Sequence, residues 1–192
     1  MFKLYKSNDE IIETTMTNCF KMLTERGLIK DYDIKDVITS IKHKFNYTLH
    51  LEKKDKDNMD IYDIFYFNNI NGQNSSLISE KLKQEKGKHK IIIIDDTVFP
   101  NYKKTNYLVE AFKISELMLN LIDVKYCPKV QLLTEKEANK VLEDYNVTKK
   151  QLPQFELSDP MVRYYDGRKG DIFKIFRSSI VSGVSIAYRV VV

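Results

Sequence analysis

An α/β (α+β) protein of two modules is predicted, with helices on a small sheet over residues 1–124 and a compact α/β module over residues 125–192. Three observations predict it. Helical stretches opened by capping boxes alternate with short period-two apolar stretches. A 43% hydrophobic content and twenty-two Tyr and Phe rings supply enough apolar matter for cores beside 30% charged residues. Finally, the chain changes character around Tyr126-Cys127-Pro128. From Lys125 onward twelve Lys/Arg stand against eight Asp/Glu, whereas residues 1–124 balance at nineteen each, so the whole net charge of +4 belongs to the second segment.

The first helix is announced by Ser7-Asn8-Asp9-Glu10, in which the Ser7 hydroxyl can accept from the amide three residues on and Glu10 can reach back. Ile12, Met16, Cys19, Phe20 and Leu23 then recur at three- and four-residue spacing, a stripe suited to packing on a sheet, and Gly27 suits a left-handed terminator. Asp33 to Ile41 reads as a second helix, and Tyr47, Leu49 and Leu51 alternate as in a half-buried strand. The charged run Glu52 to Asn58 predicts a solvated hairpin loop, Ile61 to Phe67 the returning strand, and Asn68 to Ser76 another loop. Leu77 to Glu85 reads as a helix, Lys90 to Asp95 as a buried strand, and Phe99-Pro100-Asn101-Tyr102 as a turn. Asn106 to Val124 fits helix and buried strand equally, which leaves the boundary between the modules open from residue 106 to 128.

A second capping box, Thr134-Glu135-Lys136-Glu137, opens a helix with Ala138, Val141, Leu142 and Tyr145 on one face. Val147 to Leu152 reads as a short helical turn closed by Pro153. Asp159 is placed to cap a helix whose first position is Pro160, where a missing amide is harmless, and Gly167 and Gly170 bracket the next turn. Asp171 to Arg177 and Val184 to Val192 are strands joined through Ser182-Gly183, with Val184, Ile186, Tyr188 and Val190 on one face; the second segment is expected to fold alone.

Several function classes are disfavoured. The longest aliphatic run is Ile91 to Ile94, far short of the roughly 20 apolar residues that span a bilayer, and Met1 to Lys6 lacks an apolar signal core, so a soluble, unsecreted chain with no membrane partner is expected. Cys19 and Cys127 have no CxxC spacing and are expected as buried thiols, while His43, His50 and His89 stand apart from other metal ligands and are expected at the surface. No metal, cofactor or catalytic residue is therefore expected.

From Cys127-Pro128-Lys129 to Val192 the chain resembles the assembly domain of a DNA-dependent RNA polymerase subunit, called subunit 5 in eukaryotes and represented in archaea by a shorter counterpart. The residues that carry the resemblance are Gln151-Leu152-Pro153, Ser158-Asp159-Pro160-Met161-Val162-Arg163-Tyr164-Tyr165, Arg168 through Arg177, Ser182-Gly183 and Ala187-Tyr188-Arg189-Val190-Val191, in the family's order and spacing. It implies a non-catalytic polymerase component that docks on the largest subunit and contacts the small subunit 6. The signature is densest from Asp159 to Arg177, and the implied interface residues are Asp159, Pro160, Arg163, Tyr164, Arg168, Lys169, Gly170, Arg177, Tyr188 and Arg189. The exposed face of the Val184 to Val192 strand is the fallback docking surface.

Residues 1–124 resemble the family's N-terminal jaw domain more weakly, and archaeal relatives lack that domain. In eukaryotic members the turn after the Ile-rich strand reads Thr-Pro-Ser-Ala and lies against downstream DNA. Its counterpart here keeps the proline and loses the small hydroxyl residues. The resemblance thus implies contact with downstream duplex DNA through Pro100, Asn101, Tyr102, Lys103 and Lys104, where the two lysines beside the tyrosine suit a phosphate contact that positions without reading sequence. The segment after Pro128, histidine-containing in eukaryotic members, is Val130-Gln131-Leu132 here; with an Asn-, Ile- and Lys-rich composition this suggests a divergent member from an AT-rich genome such as that of a large DNA virus. The implied location is the nucleus or, for a viral protein, the virion and the cytoplasmic replication site.

Two other function classes compete. Asp95 or Asp96 followed by Asp123-Val124-Lys125 imitates the D...DxK set of a metal-dependent nuclease, although Asp33-Ile34-Lys35 matches half of it equally well. A free-standing interaction protein could also reuse the polymerase-subunit fold.

Overall fold

In the computed structural model the described residues are 7–28, 46–54, 59–67, 89–94, 109–124, 127–179 and 183–192. They divide into two compact units, Met1–Leu119 and Asn120–Val192. Both mix helices with sheets, as the fold class requires.

In the first unit, helix α1 (Asn8–Glu25) starts at Ser7 by the expected reciprocal cap: the Glu10 amide donates to Ser7 Oγ at 3.3 Å and the Ser7 amide to Glu10 Oε2 at 2.9 Å. It ends where Gly27 adopts a φ of 70°, so that the amides of Gly27 and Leu28 turn back onto the carbonyls of Thr24 and Leu23. Such reversed bonds satisfy carbonyls that the helix end would otherwise orphan. Met16, Cys19, Phe20 and Leu23 are buried, together with Thr15 and Met22, while Ile12 at the first turn is only half-buried.

Four strands, β1 (Asn46–Lys54), β2 (Met59–Phe67), β3 (His89–Ile94) and β4 (Val109–Lys113), form a sheet in sequence order. β1 and β2 are antiparallel; β2, β3 and β4 are parallel. Lys90 through Ile94 are all buried, the pattern of a parallel strand covered on both faces. The charged run read as a loop is strand as far as Lys54, because Glu52, Lys53 and Lys54 extend the antiparallel ladder to Met59. Charges are tolerated in a strand when their backbone finds a partner. Of the ambiguous 106–124 stretch, the described residues 109–124 hold both alternatives in succession: β4 leads directly into helix α2 (Ile114–Leu117), followed by a 3-10 turn at Leu121–Asp123. Asn18 of α1 donates to the Leu117 carbonyl at 2.8 Å, and Arg26 reaches Glu110 on β4. The helices read at 33–41 and 77–85 lie outside the described residues, as does the turn at 99–102.

Burial pushes the Cys19 thiol up from 9.0 to about 12, with Arg26 opposing and Glu110 adding to the shift. The thiolate, not the thiol, is the nucleophile. At pH 8 iodoacetamide should therefore modify the half-buried Cys127 and spare Cys19 in the folded protein; equal labelling of both would contradict the packing. The raised folded value also gives a sign. Cys19 contributes stability in full below pH 9.0 and loses it as pH rises toward 12.

In the second unit β5 (Lys129–Leu132), β6 (Gln154–Phe155), β7 (Ile172–Ser179) and β8 (Gly183–Val191) form a sheet ordered β5-β7-β8-β6. β7 and β8 make an antiparallel hairpin, with β5 antiparallel to β7 and β6 parallel to β8. Helix α3 (Glu135–Asp144) is capped by Thr134 and Glu137, whose carboxylate accepts from both the Thr134 amide and hydroxyl, holding it below the usual carboxylate range. Ala138 and Leu142 of α3 pack with Ile172, Val190 and Tyr188. Helix α4 (Pro160–Tyr164) packs through Val162 and Met161 with Phe173, Ile175 and Val191. Strand alternation puts these two sets on opposite faces of β7 and β8, so the sheet carries one helix per face.

Candidate subunit interface

The 159–177 segment is a helix, a tight turn and a strand, each shaped by a short-range bond. Asp159 Oδ1 accepts from the Met161 amide at 2.8 Å and Pro160 occupies the first helical position, so α4 begins as its sequence demands. It ends with Asp166 at a φ of 51°, which lets the Asp166 and Gly167 amides bond to the carbonyls of Arg163 and Val162. Asp tolerates this left-handed geometry better than most non-glycine residues. Asn146 does the same service after α3.

Gly167 is glycine for a different reason. A Cβ there would come within 2.8 Å of the Phe173 ring and 2.9 Å of Val162 Cγ1. Gly170 does need its positive φ of 92°; its amide bonds the Val191 carbonyl and its carbonyl accepts from Lys149 Nζ, both at 2.9 Å. Asp171 closes the turn, taking the Arg168 amide on Oδ2 at 2.7 Å.

The implied interface residues separate into three groups on this frame. Pro160, Arg168, Lys169 and Arg177 are exposed; the Arg168 guanidinium lies 3.6 Å from the Asp166 carboxylate with two thirds of its side chain open. Asp159, Arg163, Gly170, Tyr188 and Arg189 are half-buried. Arg189 sits 5.3 Å above the Phe155 ring and Tyr188 meets Tyr145 edge-on at 5.7 Å, where burial, Tyr145 and Asp144 together raise its phenol. Tyr164 stands apart at 5% exposure, edge-on to Tyr165, so its ring supports α4 from behind rather than facing solvent. Tyr145, read from the sequence as part of the apolar face of α3, is 62% exposed, since a helical stripe does not show where its cover ends.

The implied DNA-contacting residues 100–104 lie outside the described residues, and so do Asp95, Asp96 and Lys125 of the nuclease-like set. Asp123 is exposed and accepts from Asn120 Nδ2 at 2.8 Å. Among the described residues no group of three or more His, Cys, Asp or Glu is placed to hold a metal ion, and no helix is long and apolar enough to cross a membrane. His89, expected at the surface, opens β3 half-buried.

Residues 119–191 match the family model for the RNA polymerase Rpb5 C-terminal domain, a span that nearly coincides with the second unit. The chain is 43% identical over 72 residues to "DNA-directed RNA polymerase subunit Rpo5" of Methanosphaera stadtmanae, covering 38% of this chain and 94% of that relative. It is 29% identical over 205 aligned positions to "DNA-directed RNA polymerase subunit 5" of Acanthamoeba polyphaga mimivirus, covering 100% of this chain and 97% of the relative. With "DNA-directed RNA polymerases I, II, and III subunit RPABC1" of Caenorhabditis elegans it shares 30% identity over 121 residues, spanning 57% of that relative's length. A family-model match over residues 119–191, a 43% identical archaeal relative covered over 94% of its length and a viral relative alignable end to end leave one conclusion: the chain belongs to the subunit 5 (Rpb5) family of DNA-directed RNA polymerases.

Proposed function

We propose that this chain is a non-catalytic subunit of a multisubunit DNA-directed RNA polymerase, in which residues 125–192 form the assembly domain and residues 1–124 a jaw along the downstream DNA. The observation that carries the proposal is the end-to-end match to the mimivirus subunit 5, which extends well beyond the 38% of this chain that the archaeal relative covers. The assembly domain docks on the largest subunit and contacts small subunit 6, with Arg163, Arg168, Lys169 and Arg177 as polar anchors. Arginine suits such a surface because its planar fork can make paired bonds to carboxylates. Transcription then takes place in the nucleus or, for a viral polymerase, in the virion and at the cytoplasmic replication site.

Recovering the tagged chain from cells that make its polymerase, and identifying what accompanies it, tests the assembly. Large catalytic subunits are expected; their absence would support a free-standing interaction protein. Replacing Arg163 and Arg168 together by Glu adds repulsion as well as removing contacts. It should lower recovery of the largest subunit while the isolated chain stays folded by circular dichroism. Unchanged recovery would move the docking surface elsewhere.

The jaw contact is tested through Lys103 and Lys104. Replacing both by Ala should weaken retention of duplex DNA by the assembled polymerase modestly, and more at low salt, since phosphate contacts act through counterion release. A loss that ignores salt would assign these lysines to packing.

A further inference from the structure

We infer that the free edge of β8 takes up an extended, acidic and apolar segment of another polymerase subunit as an added strand. This rests on the proposed membership of a multisubunit polymerase and names where and how one partner is held.

The amides of Val190 and Val192 donate to Pro153 and Phe155 on one side of β8, and the Val191 amide donates to Asp171 on the other. Alternation along a strand therefore sends the N–H and C=O groups of Val184, Ile186 and Tyr188 to the same side as those of Val190. β6, however, reaches only Val190 and Val191. Among the described residues no strand pairs with β8 on that side from Gly183 to Arg189. The same three residues point their side chains to one face, and that face is open: Val184 is 60% and Ile186 49% exposed, and they run on to Tyr188 and the exposed ring of Tyr145.

An unpaired edge backed by apolar side chains is a template for strand addition, and natural proteins usually blunt such edges with charge, proline or a bulge. Gly183 to Tyr188 contains neither a charged residue nor a proline. Main-chain bonds along an edge supply affinity in this binding mode, and side-chain contacts on alternate residues supply specificity.

Charge selects the occupant. From Ile172 to Val191 the hairpin carries Lys174, Arg177 and Arg189 and no Asp or Glu. A second copy would set three cations against three, whereas a segment bearing carboxylates between apolar residues would complement them. The archaeal relative, itself called a polymerase subunit, is matched over 94% of its length by only 72 residues of this chain, about the size of this unit and of the family-model match to residues 119–191. An attachment shared with it must lie within the unit, and Arg177, Tyr188 and Arg189 of the implied interface already belong to this hairpin.

The test uses the full tagged chain recovered from cells that make its polymerase, with the largest catalytic subunit quantified per tagged chain. Replacing both Val184 and Ile186 by Lys should cut recovery by about tenfold, equal to about 1.4 kcal/mol, with an unchanged melting temperature. Should the lysines unfold the chain, the pair V184T and I186T, which keeps β-branched side chains, replaces them. Hydrogen exchange supplies the geometric readout: the Val184, Ile186 and Tyr188 amides should exchange freely in the isolated chain and become protected in the complex. Wild-type recovery of variants with both lysines or both threonines, or equally fast exchange in both states, would overturn strand addition while leaving the polymerase assignment intact. A concentration-dependent homodimer broken by the lysines would overturn it in favour of a second copy. Failure of the wild-type chain to recover any polymerase subunit would remove the reading on which the inference rests.

Discussion

Replacing Phe173 by Ala should destabilise the C-terminal unit by about 3–5 kcal/mol, the usual cost of emptying a buried aromatic site. The side chain is fully buried and central. Its ring meets Phe155 at 5.7 Å and Tyr165 at 6.2 Å, both edge-on, and packs with Val162 of α4 and Val191 of β8. Two strands and a helix therefore lose a common partner at once. A unit of this size commands only several kcal/mol in all, so the change removes much of its stability. Urea denaturation should show the midpoint falling with an unchanged slope. Gly167 supplies a check on the mechanism. In the wild-type background Gly167→Ala pushes a methyl against the ring and should cost about 1–3 kcal/mol by overpacking. In the Phe173→Ala background the ring is gone, so the same change should cost less, and the two effects should fall short of additivity. Strict additivity would mean that ring and glycine do not share the space the structure gives them.

Capping residues and glycines were legible in the sequence because they act through neighbours three or four positions away. Ser7 with Glu10, Thr134 with Glu137, and Asp159 with Pro160 each open a helix as read, and Gly27 and Gly170 sit at positive φ. What failed depended on partners far along the chain. Glu52 to Lys54 read as loop by charge, yet the ladder to Asp60, Met59 and Ile61 makes them strand. The 106–124 stretch read as helix or strand because both are present, and only pairing with β3 decides that the strand stops at Lys113. Gly167 was assigned to a turn, but the nearness of Phe173, which no local pattern encodes, is what excludes a side chain there. The interface set shows the same division. Its residues came from a family pattern rather than from exposure, and Tyr164 within it proves to be core.

Replacing Glu110 by Ala should destabilise the N-terminal unit, by at most about 3–5 kcal/mol, because it takes a two-bond partner from a buried arginine. Arg26 Nη1 and Nη2 donate to Glu110 Oε1 and Oε2 at 3.0 and 2.8 Å, a paired fork that joins the end of α1 to β4. Only 5% of the Arg26 side chain and 13% of that of Glu110 remain accessible, so water can restore little when one partner is lost. The expected loss measures a buried charge deprived of its paired carboxylate rather than the net worth of the pair. Replacing both together, Arg26→Met with Glu110→Leu, should accordingly be near neutral or even stabilising, since apolar groups of similar volume avoid the desolvation that the ion pair must overcome. Cys19 reports on the same event. Glu110 raises its pKa and Arg26 lowers it, so Glu110→Ala should bring the thiol down from about 12 while Arg26→Met should not. A Glu110→Ala protein as stable as the wild type would show that the pair is open to solvent and that other contacts hold α1 to β4.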